Sequence, residues 1–296
     1  MKVKKIGISI LLIFVISFSF AQQAVFSQYF FNPVFTNPAF TGNEYKLNVN
    51  AQYKMMWTGV TSSPSTALIT AHSPVGLSAS SLGISVLNDN FGITSTTGAT
   101  LYYAYRFQTK AGRISAGTQL SFENFKQDLT GAVATNINDP ILVSDVNLFL
   151  FNVGFGIAWE NEKGYFGISS PAILNNSLSE TNKSETSSTL VQYNLTGAYT
   201  LLLNSKWKIT PSVLYKYVET LPTQLDIQVH LLYHEQLQFD AGFRTNTTYI
   251  AGISYKLLNG FQIGYCYDLD NSSFGSSTGG SHEILLGYTF NKNQSE

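Results

Sequence analysis

Charged side chains are scarce in this sequence. Asp, Glu, Lys and Arg make up 12% of the 296 residues, about half of the roughly 25% that soluble domains carry. Aromatic residues reach 14%, and a disordered chain needs high charge with few aromatics, so this class is excluded. The formal net charge of −1 gives no reason to expect a nucleic acid as a partner.

Long apolar runs are missing beyond residue 20. A membrane-spanning helix needs about 20 consecutive apolar residues, so a bundle of such helices is excluded. Cysteine is nearly absent, and the single Cys266 cannot form an intrachain disulfide. Asn, Gln, Ser, Thr and Gly take the place of charge, which leaves an all-β chain rich in Tyr and Phe.

Residues 1–21 have the layout of a secretory signal peptide. Three lysines among the first five residues precede an unbroken stretch of apolar or small residues, and Ser19 and Ala21 suit a cleavage site. We therefore expect export and a mature N-terminus at Gln22. The alternative is an N-terminal membrane anchor, for which the apolar stretch is short.

From about residue 45 onward, apolar and polar residues alternate. In residues 45–57, Tyr, Leu, Val, Ala, Tyr, Met and Trp occupy the odd positions, and Lys, Asn and Gln occupy most even ones. Successive side chains of a strand point to opposite faces, so each such stretch predicts a strand with one apolar face. The predicted strands are 45–57, 65–73, 82–89, 97–107, 113–124, 147–159, 164–170, 189–203, 206–217, 223–233, 236–245, 248–257, 260–269 and 281–290.

The connections alternate in length. From residue 107 onward every second one is short, and the others tend to be longer and rich in Ser, Asn, Gly and Thr. Outer-membrane barrels have short periplasmic turns and long outer loops. We therefore predict an all-β fold: a transmembrane antiparallel up-and-down barrel of about 14 strands over residues 45–290, followed by a polar tail, 291–296. The predicted outer loops include 126–146, 171–188 and 270–280.

A soluble β-sandwich would show the same alternation. Its solvent face should be rich in Lys and Glu, whereas the polar face here carries Asn, Gln, Ser and Gly. The apolar face also ends repeatedly in aromatic residues, as at Trp159 and Phe290, which suits the interfacial girdles of a membrane barrel. The pattern therefore favours the barrel.

Residues 22–44 differ from the rest of the chain. The steps Asn32-Pro33 and Asn37-Pro38 indicate turns rather than strands. The aromatic residues between them are too dense for a tail left in water. We expect this segment to pack inside the barrel or across its periplasmic mouth.

A set of motif residues runs in order through the first third of the chain. The N-terminal group is Gln28, Tyr29, Asn32, Pro33, Asn37, Pro38 and Gly42. The later groups are Trp57, Gly59 and Pro64, then His72 and Pro74, then Asn88, Asp89 and Gly92. This ordered set resembles the PorP/SprF family, outer-membrane proteins associated with the type IX secretion system of Bacteroidetes. Phe40 departs from the family pattern, in which Tyr is common there.

The resemblance implies a role in type IX secretion, in surface attachment of secreted proteins and, for some relatives, in gliding motility. Some members act with a cargo adhesin, often through its C-terminal domain, and others belong to a motor-associated periplasmic assembly. The implied location is the outer membrane of a Gram-negative bacterium. The implied partners are outer-membrane lipid and either a secretion substrate or machinery subunits.

Sequence motifs for metal binding, cofactor binding or catalysis are weak. The histidines, His72, His230, His234 and His282, form no helical ligand pair and have no cysteine partner, so we predict neither a metal site nor a cofactor. We interpret His72 as a turn or girdle residue. Asp226 and His230 share one strand face, but about 13 Å separates them at strand rise. Neither G-x-S-x-G nor a P-loop occurs, and we predict no enzymatic activity.

Ionisable residues of both signs fall on the predicted inner face. They are Lys46, Lys54, Arg106, Arg113, Glu123, Lys208, Lys216, Asp226, Asp240, Arg244, Lys256, Asp268 and Glu283. Mixed signs favour a paired, filled interior over a selective pore. Two functions stay open: a non-enzymatic protein that holds a secretion substrate or machinery subunit, and a porin or transporter of hydrophobic solutes.

Overall fold

The structure is a computed structural model that describes residues 25–43, 47–76, 79–130, 145–177, 188–189, 191–219, 221–245 and 247–290. The signal peptide predicted over residues 1–21 and the polar tail, 291–296, lie outside the described residues and stay predictions, and Lys46 also lies outside them. Among the described residues, no helix is both long and apolar enough to cross a membrane.

Antiparallel strands close into a barrel. The strands are β1 (Asn48–Met55), β2 (Ser65–Pro74), β3 (Ser80–Phe91), β4 (Thr94–Thr109), β5 (Gly112–Gln127), β6 (Val146–Asn161), β7 (Gly164–Ala172), β8 (Asn176–Ser177), β9 (Ser188–Thr189), β10 (Gln192–Tyr199), β11 (Leu201–Leu202), β12 (Trp207–Val218), β13 (Gln224–Tyr233), β14 (Leu237–Arg244), β15 (Thr248–Lys256), β16 (Phe261–Asp270) and β17 (Ser281–Thr289).

Each barrel strand pairs with its sequence neighbours, and β17 pairs with β1 to close the wall. β10 and β11 both pair with β12 and together form one barrel strand, while β8 and β9 form a separate two-stranded sheet. The barrel therefore has fourteen strands, which confirms the predicted architecture. Closure leaves no unpaired edge, as a bilayer requires.

The wall has the inverse of a soluble protein's distribution of polarity. In β1, Asn50, Gln52 and Lys54 are buried, while Tyr53 and Met55 are exposed. Along the other strands, exposed Leu, Ile, Val and Phe residues form a lipid-facing belt. The predicted alternation of faces is confirmed, and polar side chains fill the interior.

Several predicted strand boundaries are wrong, among them the end of β1, the end of β3 and the start of β4. β1 ends at Met55, so Trp57 lies in the following loop with a φ of 52°, and its ring packs against that of Phe274. β3 ends at Phe91 and β4 begins at Thr94, so both strands are longer than predicted and a two-residue turn joins them. These strand ends carry polar residues on both faces, so the alternation that predicts a membrane strand fades there.

The two ends of the barrel differ. The end that we name the termini end holds the start of β1, the end of β17 and connections of two to five residues, such as 110–111 and 162–163. The opposite end, named the loop end, holds the longer connections 56–64, 128–145, 173–191 and 271–280. The predicted alternation of connection lengths is thus confirmed in part: the loop-end connections 92–93, 219–223 and 245–247 are short and depart from it.

Candidate functional site: the N-terminal plug inside the barrel

Residues 25–43, which we name the plug, lie inside the barrel. They form three 3-10 helices, Tyr29–Phe31, Pro33–Phe35 and Pro38–Phe40. Proline begins the last two, because its fixed φ suits a first helical position. Asn37 caps the third by accepting a hydrogen bond from the Ala39 N–H at 2.9 Å. Of the two predicted locations, the interior is the one observed.

The start of the plug is held by the carboxylate of Glu283, which is 1% exposed. The Ser27 and Gln28 backbone N–H groups donate to its two oxygens at 2.7 and 3.0 Å. The Ser27 hydroxyl donates to Asp268 at 2.6 Å, and the Gln228 amide donates to the Ser27 carbonyl at 2.9 Å. Charge-assisted bonds of this kind are stronger than neutral ones.

Two cations balance this end. Lys54 Nζ lies 2.6 Å from Asp268 and 3.6 Å from Glu283. Arg244 lies 2.8 Å from Asp226 and 3.3 Å from Asp268. We name these five residues the charge cluster. Their pairing agrees with the filled interior that mixed signs predicted, and each member would be costly to bury alone.

The third 3-10 helix lies against a wall of glycines. A Cβ on Gly117 would sit 2.4 Å from the backbone nitrogen of Ala39, and one on Gly156 would sit 2.0 Å from Asn37 Oδ1. Gly117 and Gly156 are register partners on β5 and β6. Only glycine lets the plug backbone approach the wall this closely.

The end of the plug is anchored at the termini end. The Gly42 N–H donates to His72 Nδ1 at 2.9 Å, Arg106 donates to the Thr41 carbonyl, and Arg113 donates to the Asn43 carbonyl at 2.8 Å. His72 is 4% exposed and faces the interior. Its interpretation as a turn or girdle residue is therefore wrong, because the plug supplies a buried partner that the strand pattern could not reveal.

A series of hydrogen-bonded polar side chains runs along the inner face of β12, β13 and β14, beneath the first 3-10 helix. The Tyr29 hydroxyl lies 3.2 Å from Ser212 Oγ, which lies 2.9 Å from His230 Nε2, and His230 Nδ1 lies 2.6 Å from Asp240 Oδ1. The Phe30 ring stacks on His230 at a centroid distance of 4.1 Å.

Ser212, His230 and Asp240 have the connectivity of a nucleophile triad. Sequence reasoning missed them because it tested His230 against Asp226 on the same strand, whereas its partners lie on β12 and β14. All three side chains are buried, and the plug covers the serine and the imidazole. In this arrangement Ser212 and His230 contact the plug through Tyr29 and Phe30.

The family model described as "Type IX secretion system membrane protein PorP/SprF" matches residues 18–288. The chain belongs to the PorP/SprF family. The family is a secretion-system membrane family rather than an enzyme family. No curated protein matches this PorP/SprF chain.

Solved structures resemble the barrel at low identity. The CymD monoaromatic hydrocarbon channel has a TM-score of 0.54 and 11% identity, over 90% of this chain and 93% of that one. Omp33 of Acinetobacter baumannii has a TM-score of 0.49 and 10% identity, over 83% and 98%. The P. putida toluene transporter TodX has a TM-score of 0.46 and 8% identity, over 86% and 93%. CymD shares the barrel fold with this PorP/SprF protein, and its likeness shows nothing beyond fold.

The motif residues of this PorP/SprF chain separate into three places. The group from Gln28 to Gly42 lies in the plug, and His72 meets it from β2, which ends at Pro74. The remaining six lie at the loop end: Trp57, Gly59, Pro64, Asn88, Asp89 and Gly92. The structure therefore brings the plug group and His72 together, and it gathers the other six around the loop end, where the plug begins.

The loop-end motif residues join neighbouring connections. The Trp57 indole donates to Asp270 at 3.3 Å, and the Thr58 N–H donates to the Gly280 carbonyl at 2.9 Å. Asp89 accepts a hydrogen bond from Thr66 at 2.5 Å across β2 and β3. The Trp57 and Thr58 contacts hold loop 56–64 against the end of β16 and loop 271–280.

The predicted inner-face ionisable residues mostly point inward. Buried members are Lys54, Arg106, Arg113, Asp226, Asp240, Asp268 and Glu283. Glu123, Lys216 and Arg244 are half-buried, Lys208 pairs with Glu235 at 2.6 Å, and Lys256 is exposed at the termini end. The described ranges contain no group of three or more His, Cys, Asp or Glu residues suited to a metal ion.

Proposed function

We propose that this chain is a non-enzymatic barrel of the outer membrane that supports type IX secretion or surface attachment of a partner protein, or docks machinery subunits. Family membership supports the secretion system. The single observation that favours partner binding over solute transport is the plug, which is anchored at both ends of the lumen by Glu283 and His72.

A transporter of solutes needs an open path through the barrel lumen. Here the plug carries fully buried side chains such as Val34 and Phe40, at 0% and 1% exposure. Withdrawing the plug would break the charge-assisted bonds from Ser27 and Gln28 to Glu283 and leave that carboxylate with Gln52 at 3.3 Å and Lys54 at 3.6 Å. The plug is therefore a fixed part of the fold, and the surfaces at the two barrel ends are left for partners.

The loop end offers a firm platform for a partner. Loops 56–64 and 271–280 support each other through Trp57 and Thr58. At the base of loop 128–145, the Thr130 N–H and hydroxyl donate to Asp145 at 3.0 and 2.9 Å. These bonds hold the pKa of Asp145 below its usual range, so its carboxylate stays ionised and keeps the base closed. Loops on a rigid scaffold commonly carry binding function.

Gene deletion and complementation test the proposal. We expect deletion to abolish surface display of a secreted protein, measured by surface labelling and mass spectrometry, while uptake of small solutes is unchanged. A variant in which residues 131–143 are replaced by a short Gly-Ser linker is expected to insert normally but to restore display poorly. Steady open conductance of the purified barrel in planar bilayers, combined with unchanged display, would instead establish a transporter.

Ser212→Ala tests the enzymatic alternative. We expect purified wild type and variant to hydrolyse p-nitrophenyl esters no faster than buffer, because the plug covers Ser212. The variant loses a hydrogen bond to Tyr29, so the free energy of unfolding should fall by about 0.5–1.5 kcal/mol. Wild-type hydrolysis that disappears in the variant would contradict the non-enzymatic assignment.

A further inference from the structure

A cavity of about 300 Å³ opens at the termini end between the plug and strands β1 and β13–β17. Phe30, Phe31 and Pro33 of the plug form its floor, and Leu232 adds an apolar wall. Ligand cavities span about 300–1,000 Å³. This cavity therefore has room for a few residues of an extended chain and not for a folded surface.

Much of the remaining lining consists of uncharged polar side chains. They include Asn50, Gln236, Gln238, Ser254 and Gln262. A side-chain amide donates through nitrogen and accepts through oxygen, which matches the alternating N–H and C=O groups of a peptide backbone. Within the part of the chain that the structure describes, the side chains of Gln236, Ser254 and Gln262 are engaged in no hydrogen bond.

The cavity carries one unbalanced charge. Glu235 at the rim is already paired with Lys208 at 2.6 Å. Lys256, also at the rim, has no carboxylate partner among the described residues. A ligand that carries a carboxylate would complete this ion pair.

We propose that the cavity binds the carboxyl terminus of an extended polypeptide. The backbone of the last residues would meet the amides, an apolar side chain would contact Phe30 and Leu232, and the terminal carboxylate would pair with Lys256. A neutral saccharide could also bond to amides, but it would leave Lys256 unmatched. The inference rests on the proposed function: in an outer-membrane barrel the short turns face the periplasm, so the termini end would face the compartment from which a secretion substrate arrives.

A pair of peptides tests the inference. The probes are fluorescein-labelled Ser-Gly-Asn-Ser-Leu with a free carboxylate and the same peptide as its C-terminal amide, titrated by fluorescence anisotropy into the purified full chain in detergent. We expect the acid to bind about three- to fivefold more tightly than the amide, as a partly exposed ion pair permits. Lys256→Gln should remove the difference between the two peptides.

The matched control is Lys163→Gln, which changes a lysine in a turn at the same end but outside the cavity lining. It should preserve the preference for the acid. Gln236→Trp, which fills the rim, should abolish binding of both peptides. Equal affinity for acid and amide, a preference that survives Lys256→Gln, or glucose binding without peptide binding would overturn the inference.

The cellular assay separates this inference from the proposed function. If display depends on the gene but the peptides bind without a carboxylate preference, only the cavity assignment fails. If the acid binds as expected but display is unaffected by deletion, the proposed function fails and the peptide site stands as a property of the barrel alone.

Discussion

Gly117→Ala is expected to unseat the third 3-10 helix of the plug. The new Cβ would lie 2.4 Å from the Ala39 nitrogen and from the Pro38 carbonyl carbon. These are backbone atoms, so no side-chain rotation can relieve the contact. Overpacking of this kind costs about 1–3 kcal/mol, and occasionally more. We expect the free energy of unfolding, measured by heat-dependent gel mobility in detergent, to fall by that amount.

A loosened plug has further signatures. Limited proteolysis should cut within residues 25–43 in Gly117→Ala but not in wild type, and conductance in planar bilayers should rise. The control is Gly197→Ala on β10, where a Cβ would lie 3.5 Å or more from its neighbours, at ordinary contact distance. A Gly117→Ala barrel as stable and as protease-resistant as the Gly197→Ala barrel would show that the plug does not lie against this wall.

Lys54→Met is expected to produce the second large effect. Lys54 pairs with Asp268 and Glu283, whose side chains are 5% and 1% exposed. Removing one partner of a buried pair costs about 3–5 kcal/mol, because the other charge is left without compensation. Since Lys54 also donates to the Val25 carbonyl at 2.8 Å and to Ser27 Oγ at 2.9 Å, the start of the plug should loosen as well. Guanidinium unfolding in detergent measures the loss of stability.

A surface pair supplies the control for this loss. Lys208→Met removes the partner of Glu235, which is 65% exposed, and exposed pairs contribute about 1 kcal/mol at most. Adding Glu283→Gln to Lys54→Met should recover part of the stability, since it removes one of the uncompensated charges. Similar losses for Lys54→Met and Lys208→Met would mean that the charge cluster is not desolvated as the structure places it.

The strand pattern was readable from the sequence because it is local. The face on which Tyr53 or Lys54 lies can be predicted from the residues two positions away, and the same alternation recurs in the other strands of the barrel wall. The turns of the plug were equally local, since Asn32-Pro33 and Asn37-Pro38 set their own backbone geometry. The predicted ends of β3 and β4 were wrong because there both faces are polar.

The positions of the candidate-site residues were much harder to predict from the sequence. Trp57 was placed in a strand, although it lies in a loop beside Phe274, more than two hundred residues later in the sequence. His72 was assigned to a girdle because its partner, Gly42, belongs to a segment with no fixed register on the wall. Whether the plug lay inside the barrel or across its mouth was also left open by the sequence.

The all-β class, the fourteen strands, the faces of the wall and the turns of the plug could all be predicted, because each follows from the preferences of residues a few positions apart. The contents of the interior could not, because they depend on contacts between distant parts of the chain. Closure of the barrel sets Ser212, His230 and Asp240 on adjacent strands and brings Lys54 to Asp268. Register and closure join distant parts of the chain, and local alternation carries no information about which distant residues will meet.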